Sequence, residues 1–194
     1  MRGPRRDADG APRLHLTFDD GPGDDLPALL GRLDAHGAKA TFFFLGERAA
    51  RHPALVCAAA GAGHRVGVHG WTHDDPWRAP REALLDGFVR AAAALEDLTG
   101  APVRDVRPPY GHLTPALARW CRATGRRVVL WDLMPGDFVA SAAPEAVARR
   151  IVRRARPGAV VVLHEGGAAG AVARAALDGA LPRLRASGWR LAAL

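Results

Sequence analysis

Cysteine and long apolar runs are scarce in this sequence, and each scarcity excludes a class of protein. The two cysteines, Cys57 and Cys121, are too few for a disulfide framework and too far apart for a metal-binding pair. Both lie within apolar helical patterns, so we interpret them as small core residues. No apolar run approaches the roughly 20 residues that span a bilayer, so no transmembrane segment is expected.

Lysine is nearly absent, so the positive charge of the chain comes from arginine. Lys39 is the only lysine, and the formal net charge is +7. Arginines cluster at 149–150 and 153–156, but no nucleic-acid-binding motif accompanies them. A compositional bias towards arginine and alanine accounts for the charge, so nucleic acid is not an expected partner. Weak, salt-sensitive attraction to anionic polymers stays open.

The first 13 residues form a basic segment that we expect to be poorly ordered, which leaves residues 14–194 as one domain. No apolar stretch follows the arginines of residues 1–10, so the chain as written carries no secretion signal. A cytoplasmic location is expected if the chain is complete, and a signal removed from it would instead imply export. The sequence does not predict an oligomeric state.

Short β-prone runs alternate with helical patterns along the rest of the chain. The strand-like runs lie at residues 14–18, 40–44, 65–68, 105–107, 127–131, 159–163 and 189–194. The helical patterns lie at residues 26–36, 53–62, 80–99, 114–124, 144–155 and 172–186. This α/β alternation predicts a parallel sheet covered by helices. A doubly wound open sheet and an incomplete (β/α) barrel both fit it.

Two adjacent carboxylates end the first predicted strand. Asp19 and Asp20 follow an alternating run, and Gly21 and Pro22 then interrupt the strand. Neighbouring carboxylates resist ionising together in a dry site unless a cation lies beside them. A metal site is one interpretation of the pair, and an ordinary surface turn is the other.

Other reactive side chains also follow predicted strands. They are His69 and His73 after the third strand, Arg107 at the end of the fourth, Asp137 after the fifth and His164 at the end of the sixth. We expect them to meet on one rim, because α/β folds build active sites at the carboxyl ends of their strands. With one carboxylate, His69 and His73 would form a ligand set for zinc or another divalent ion. Two half-exposed loop histidines are the alternative.

Two further features belong to the same rim. Residues 107–111, with the sequence Arg-Pro-Pro-Tyr-Gly, predict a rigid turn in which the Tyr110 amide is free to point into a site. His164 ends a buried apolar strand. It is either a packed core residue or a histidine that Asp137 orients and charges.

Five segments in order resemble the motifs of the NodB-homology polysaccharide deacetylases, which form carbohydrate esterase family four. The segments are Thr17-Phe18-Asp19-Asp20-Gly21-Pro22, His69 with His73, Arg107-Pro108-Pro109-Tyr110-Gly111, Trp131 with Asp137-Phe138, and Leu163-His164. The resemblance spans residues 14–194. It implies a single-domain, distorted (β/α) barrel with about seven parallel strands and outer helices.

The resemblance also implies a role for each matching residue. Asp20, His69 and His73 would hold one divalent metal ion, with Zn²⁺ preferred and Co²⁺ or Ni²⁺ as alternatives. Asp19 would be the general base, steadied by Arg107, and His164 the general acid, tuned by Asp137. The Tyr110 amide would stabilise the oxyanion, while Trp131 and Leu163 would line the acetyl-binding groove.

The chain departs from the family pattern at two positions. Gly70 stands where the family usually has Thr or Ser, and Phe138 where Trp is common. Neither change removes a catalytic group, so we expect activity and leave substrate preference open. Trp71, Trp77 and Tyr110 lie in loops on the same rim, where they would stack on sugar rings or pack in the core.

The expected reaction is hydrolysis of N-acetyl groups on a glycan that contains N-acetylglucosamine, such as chitin-type chains, peptidoglycan or an exopolysaccharide. An O-acetyl-xylan esterase and a deformylase of a small or lipid-linked amino sugar are enzymatic alternatives with the same site. A non-catalytic glycan-binding domain is a further alternative. Family habit favours a secreted or cell-envelope location.

Overall fold

A computed structural model of the chain describes residues 4–194. Its strands are β1 (Arg13–Asp19), β2 (Thr41–Phe44), β3 (Arg65–Val68), β4 (Asp105–Val106), β5 (Arg127–Val128), β6 (Ala159–His164) and β7 (Arg190–Leu191). Its α-helices are α1 (Leu26–Ala35), α2 (Gly46–Arg51), α3 (Pro53–Gly61), α4 (Arg81–Thr99), α5 (Pro115–Ala123), α6 (Pro144–Arg154) and α7 (Gly167–Ala186). A 3₁₀ turn covers Pro109–Gly111.

The strands form one parallel sheet that curls into an incomplete barrel. The order across the sheet is β5-β4-β3-β2-β1-β6, and β7 pairs with the start of β1. After β5 the chain reaches the opposite edge of the sheet, where Leu133 forms a parallel bridge with Val161 of β6. The predicted barrel is therefore confirmed, and the doubly wound sheet is not the fold.

Side chains alternate between the two faces of each long strand. On β1, Leu14, Leu16 and Phe18 belong to the large core between the sheet and the helices. Because successive residues of a strand point to opposite faces, Thr17 and Asp19 face the barrel interior. The alternation thus delivers a carboxylate to the inside of the barrel at the point where β1 ends.

The barrel interior has its own small apolar cluster, formed by Phe43, Val129 and Val160. The guanidinium of Arg107 lies above the Phe43 ring, 4.1 Å from its centroid. Gly67 of β3 leaves room for this ring, since a Cβ at that position would lie 2.6 Å from Phe43 Cδ1. The interior is therefore filled by side chains and does not form a pore.

Differences from the predicted elements have local causes. Helix α2 was not predicted because its six residues are too few to show a helical period. Helix α7 begins five residues before the predicted start at residue 172, in a glycine- and alanine-rich stretch with little pattern. Strand β5 ends before the predicted residue 131, and the carbonyls of Val129 and Leu130 instead accept hydrogen bonds from Arg107.

The predicted N-terminal segment is described only from residue 4, and residues 1–3 lie outside the described residues. Arg6 forms an antiparallel bridge with Pro12. The Pro4 carbonyl lies 3.0 Å from Nε2 of His15. Poor order in residues 1–13 stays a prediction. Within residues 4–194, none of the helices combines the length and apolar character needed to cross a bilayer.

The packing of Gly67 against Phe43 generates a stability prediction. Replacing Gly67 by Ala should lower the free energy of unfolding by about 1–3 kcal/mol, because the new methyl group overpacks the barrel interior. Gly31→Ala in α1 is the matched control: a Cβ there meets no atom within 4 Å. Since alanine favours helix, the control should be neutral or up to about 1 kcal/mol more stable. Equal effects of the two substitutions in urea unfolding would contradict this account of the interior.

Candidate active site

A sharp turn at the end of β1 separates the two adjacent carboxylates. Asp20 has a φ of 72°, in the left-handed region that residues other than glycine rarely adopt. The next residue must be small, because a Cβ on Gly21 would lie 1.7 Å from a carboxylate oxygen of Glu165. The backbone is therefore built to point Asp20 away from the direction that strand alternation would give it.

Asp20 faces two histidines. Its Oδ1 atom lies 3.4 Å from Nε2 of His69 and 3.3 Å from Nε2 of His73. The same oxygen is buried and has no hydrogen-bond partner among the described residues. One ligand atom from each residue lies within 4.8 Å of the other two. A buried acceptor without a donor, beside two imidazole nitrogens, is what a cation site requires.

The spacing of these atoms fits a small divalent cation. In a tetrahedral zinc site with bonds of roughly 2.0–2.1 Å, neighbouring ligand atoms lie about 3.4 Å apart. The two distances from Asp20 Oδ1 agree with that spacing. Asp20, His69 and His73 therefore fit a cation that keeps a further coordination position open, as catalytic zinc sites do.

The protonation states of two of these residues also suit a cation. Burial disfavours ionisation of Asp20, but His69 and His73 more than offset it and lower the pKa of the carboxyl to about 2. Burial lowers the pKa of His73 against the opposing charge of Asp20. Near neutral pH the site thus offers an ionised carboxylate and a neutral imidazole, the forms that bind metals.

Backbone contacts orient His69. Its Nδ1 atom lies 2.7 Å from the carbonyl oxygen of Arg107, so Nδ1–H donates there and Nε2 is left to face Asp20. The residue after it, Gly70, has a φ of 93°. A β-branched Thr would be strained in that conformation. The departure from the family pattern at Gly70 therefore accompanies a backbone suited to glycine.

Asp19 is held by a fully buried arginine. Arg107 donates from Nη1 to Oδ1 of Asp19 at 2.7 Å and to Oγ1 of Thr17 at 2.8 Å. The other oxygen of Asp19, Oδ2, lies 3.9 Å from Nε2 of His69. One carboxylate oxygen is thus paired with the guanidinium, and the other is directed towards the cation ligands.

His164 ends β6, the strand next to β1 in the sheet. The register of β1 with β6 pairs Asp19 with His164, which explains their proximity. Nδ1 of His164 lies 3.2 Å from Oδ2 of buried Asp137, and the backbone N–H of His164 donates to the same oxygen at 2.7 Å. Burial opposes protonation of His164, but the hydrogen bond and charge of Asp137 outweigh it and raise the pKa of the imidazole.

A cavity of about 430 Å³ joins these groups. Its lining includes the predicted residues Asp19, Asp20, His69, His73, Tyr110, Trp131 and His164, together with Met134, Phe138, Val162 and Ala169. Arg107 and Asp137 are buried behind the cavity wall. The structure therefore brings nine of the ten predicted site residues into or against one cavity.

The prediction that Leu163 lines the groove is wrong. Leu163 lies opposite Phe18 in the sheet and belongs with it to the core between the sheet and the helices. Its neighbour Val162 faces the cavity instead. The prediction was displaced by one residue along β6. Because side chains alternate between the two faces of a strand, a displacement of one residue puts a side chain on the opposite face.

Glu165 is a site-building residue to which the sequence analysis gave no role. It is buried, and both of its carboxylate oxygens lie 3.0 Å from the backbone nitrogen of Gly23. Burial raises the pKa of its carboxyl to about 7. The carboxyl therefore supports the turn that carries Asp20. A charged residue directly after a buried strand was the available signal.

The chain is similar to known carbohydrate deacetylases. Residues 6–129 match the family profile described as polysaccharide deacetylase. A peptidoglycan-N-acetylglucosamine deacetylase from Bacillus cereus is 31% identical over 183 residues, covering 92% of this chain and 66% of that protein. A chitooligosaccharide deacetylase from Rhizobium leguminosarum bv. phaseoli is 33% identical over 173 residues, covering 86% of this chain and 73% of that protein. The chain spans as little as 37% of the length of other curated relatives.

A solved structure supports the same grouping. The family 4 carbohydrate esterase from Streptomyces lividans, determined in complex with acetate, matches with a TM-score of 0.84 and 29% sequence identity. The match covers 92% of this chain and 90% of that one. The similarity therefore extends over the whole barrel and its surrounding helices.

The raised pKa of Glu165 predicts a pH-dependent stability. Its folded pKa of about 7 exceeds the ordinary pKa of 4.5 for a glutamate side chain, so folding favours the protonated carboxyl. This contribution is complete below pH 4.5 and is lost as the pH rises towards 7. Between pH 4.5 and 7 the free energy of unfolding, measured in urea, should therefore fall less for Glu165→Gln than for the parent protein. The difference should be on the order of 2 kcal/mol. Glu82→Gln, at an exposed position of α4, should follow the parent, and parallel curves for all three proteins would contradict the prediction.

Proposed function

Because the chain belongs to the polysaccharide deacetylase family, we propose that it is a metal-dependent hydrolase that removes N-acetyl groups from glycans containing N-acetylglucosamine and releases acetate. The observation that carries the proposal is the arrangement around one cavity: a cation ligand set, an arginine-paired carboxylate and an aspartate-paired histidine. The substrate class is that of the relatives, a peptidoglycan-N-acetylglucosamine deacetylase and a chitooligosaccharide deacetylase.

Asp20, His69 and His73 would hold the divalent ion. Two imidazole nitrogens and one carboxylate oxygen suit Zn²⁺, and Co²⁺ or Ni²⁺ would accept the same donors. When bound, such an ion supplies Lewis acidity and lowers the pKa of a water molecule from 15.7 to roughly 7. The remaining chemistry belongs to the side chains of the chain itself.

Asp19 would act as the general base. Oδ1 is occupied by Arg107, so Oδ2 is the atom that would accept a proton from the attacking water. Arg107 is fully buried and hydrogen-bonded, so it holds the carboxylate in one orientation and compensates its charge in the low-dielectric interior. A base that is fixed in this way keeps its geometry as the proton moves.

His164 would act as the general acid. Nδ1–H is directed at Asp137, which leaves Nε2 to hold the proton that the departing nitrogen needs. The raised pKa of this imidazole keeps that proton available near neutral pH. A positioned proton donor of this kind contributes about 10²–10⁴-fold in rate.

The cavity wall would hold the acyl group. Trp131, Phe138 and Val162 form an apolar side beside His164, and the Phe138 ring lies edge-on to the imidazole at 5.4 Å. An apolar wall accommodates an acetyl methyl group and excludes water from the leaving nitrogen. The Tyr110 amide would donate to the oxyanion, and one such donor is typically worth about 3 kcal/mol.

Two single substitutions separate metal binding from proton donation. His69→Ala should lose the ion because it removes a ligand, whereas His164→Ala should keep the ion and lose about 10²–10⁴-fold in turnover. Elemental analysis of the purified proteins, combined with acetate release from acetylated chito-oligosaccharides, measures both properties. Near-native activity in both variants would contradict the proposed function.

The contact between His164 and Asp137 predicts a shift in the pH–activity profile. Asp137→Asn removes the charge that raises the pKa of His164. The general acid would then lose its proton at lower pH, so the alkaline fall in activity should move to lower pH. Asp178→Asn, which removes an exposed carboxylate bonded to Arg32, is the control and should leave the profile in place. An unmoved alkaline limb in the Asp137 variant would exclude His164 as the acid that this limb reports.

A further inference from the structure

Trp77 presents an exposed indole beside the candidate active site. Its side chain is 66% exposed, although it is among the largest apolar groups of the chain. One face of the ring system lies against the His112 imidazole, with ring centroids 3.6 Å apart and an angle of 3° between the planes. Trp77 is therefore not a core residue, and stacking leaves it one broad, flat face towards solvent.

One carboxylate contacts both residues of this pair. Oδ1 of Asp75 lies 2.7 Å from Nδ1 of His112 and accepts a hydrogen bond from the backbone N–H of Trp77 at 3.0 Å. Asp75 thus holds the His112 ring and the Trp77 backbone, and the stacked imidazole holds the indole, which reduces the entropy lost when a ligand binds to it.

Aromatic contacts connect the indole with the cation ligands. His112 lies 5.7 Å from the Tyr110 ring, and Tyr110 lies 4.7 Å from the His73 ring, measured between centroids. Tyr110 and His73 line the active-site cavity, whereas Trp77 lies beyond its edge. A ligand that reaches Trp77 from the reaction centre must therefore extend past the cavity.

We propose that Trp77 and His112 form a carbohydrate subsite that binds a sugar ring next to the one being deacetylated. The proposal rests on the proposed function and adds to it a second binding position for the glycan, outside the active-site cavity. The C–H groups on one face of a pyranose ring are weakly positive and pack on the negative face of an indole. Because Trp77 lies outside the cavity, the ring that it binds is a neighbour of the reacting sugar.

The kinetic test compares a long and a short substrate in the metal-loaded enzyme. Trp77→Ala should raise KM for acetylated chitotetraose about tenfold, the equivalent of one lost stacking contact. The change for N-acetylglucosamine alone should be clearly smaller. Trp77→Phe keeps a flat ring, so its KM for acetylated chitotetraose should lie between the values of the parent enzyme and Trp77→Ala. Val89→Ala removes an exposed apolar side chain on α4 and should leave both KM values unchanged.

A binding measurement makes the proposal independent of turnover. Calorimetric titration with acetylated chitotetraose compares His164→Ala with the double variant that also carries Trp77→Ala. The affinity of the double variant should be about tenfold lower. If the parent enzyme releases no acetate but this difference persists, the subsite stands and the proposed function fails. Equal affinity with and without the indole would overturn the subsite, as would self-association of the chain that Trp77→Ala abolishes.

Discussion

One buried guanidinium joins the parts of the candidate site. Arg107 donates to Asp19 and Thr17 of β1 and to the carbonyls of Val129 and Leu130, and its own carbonyl lies 2.7 Å from Nδ1 of His69. A buried charge is costly unless it is paired and hydrogen-bonded. The arrangement meets that condition and so links Asp19, the chain after β5 and His69 through a single residue.

Around Arg107, side chains of the same chemical type lie in different electrostatic surroundings. Asp19 faces a permanent positive charge, whereas Asp20 is turned by a left-handed backbone towards two imidazoles. His73 has its pKa lowered, mainly by burial, and His164 has its pKa raised by Asp137 against burial. Environment, and not residue type, therefore distinguishes the proposed ligand, base and acid. The proposed mechanism needs each group in the state that its neighbours favour.

Much of the fold could be predicted because strand period and helix end signals are local. Each of the seven strands overlaps a predicted run, and the carboxyl-end rule grouped residues as distant as Asp20 and His164. The α/β alternation alone did not distinguish an open sheet from a barrel, because the curling depends on the bridge from Leu133 to Val161, and only the family resemblance implied the barrel. Leu163 was predicted to face the cavity, but Val162 does so. Assigning a residue to a strand therefore does not determine which face it occupies. Glu165 was missed because its role depends on the neighbouring turn of the backbone and not on its own motif.

We propose that Asp20, His69 and His73 bind one divalent ion between them. Anomalous diffraction at the zinc edge, from crystals grown with zinc, locates such an ion. We expect one peak bonded to Oδ1 of Asp20 and to Nε2 of both histidines, at roughly 2.0–2.2 Å. Density at other ligands, or no peak among these three residues in crystals that hold zinc elsewhere, would contradict it.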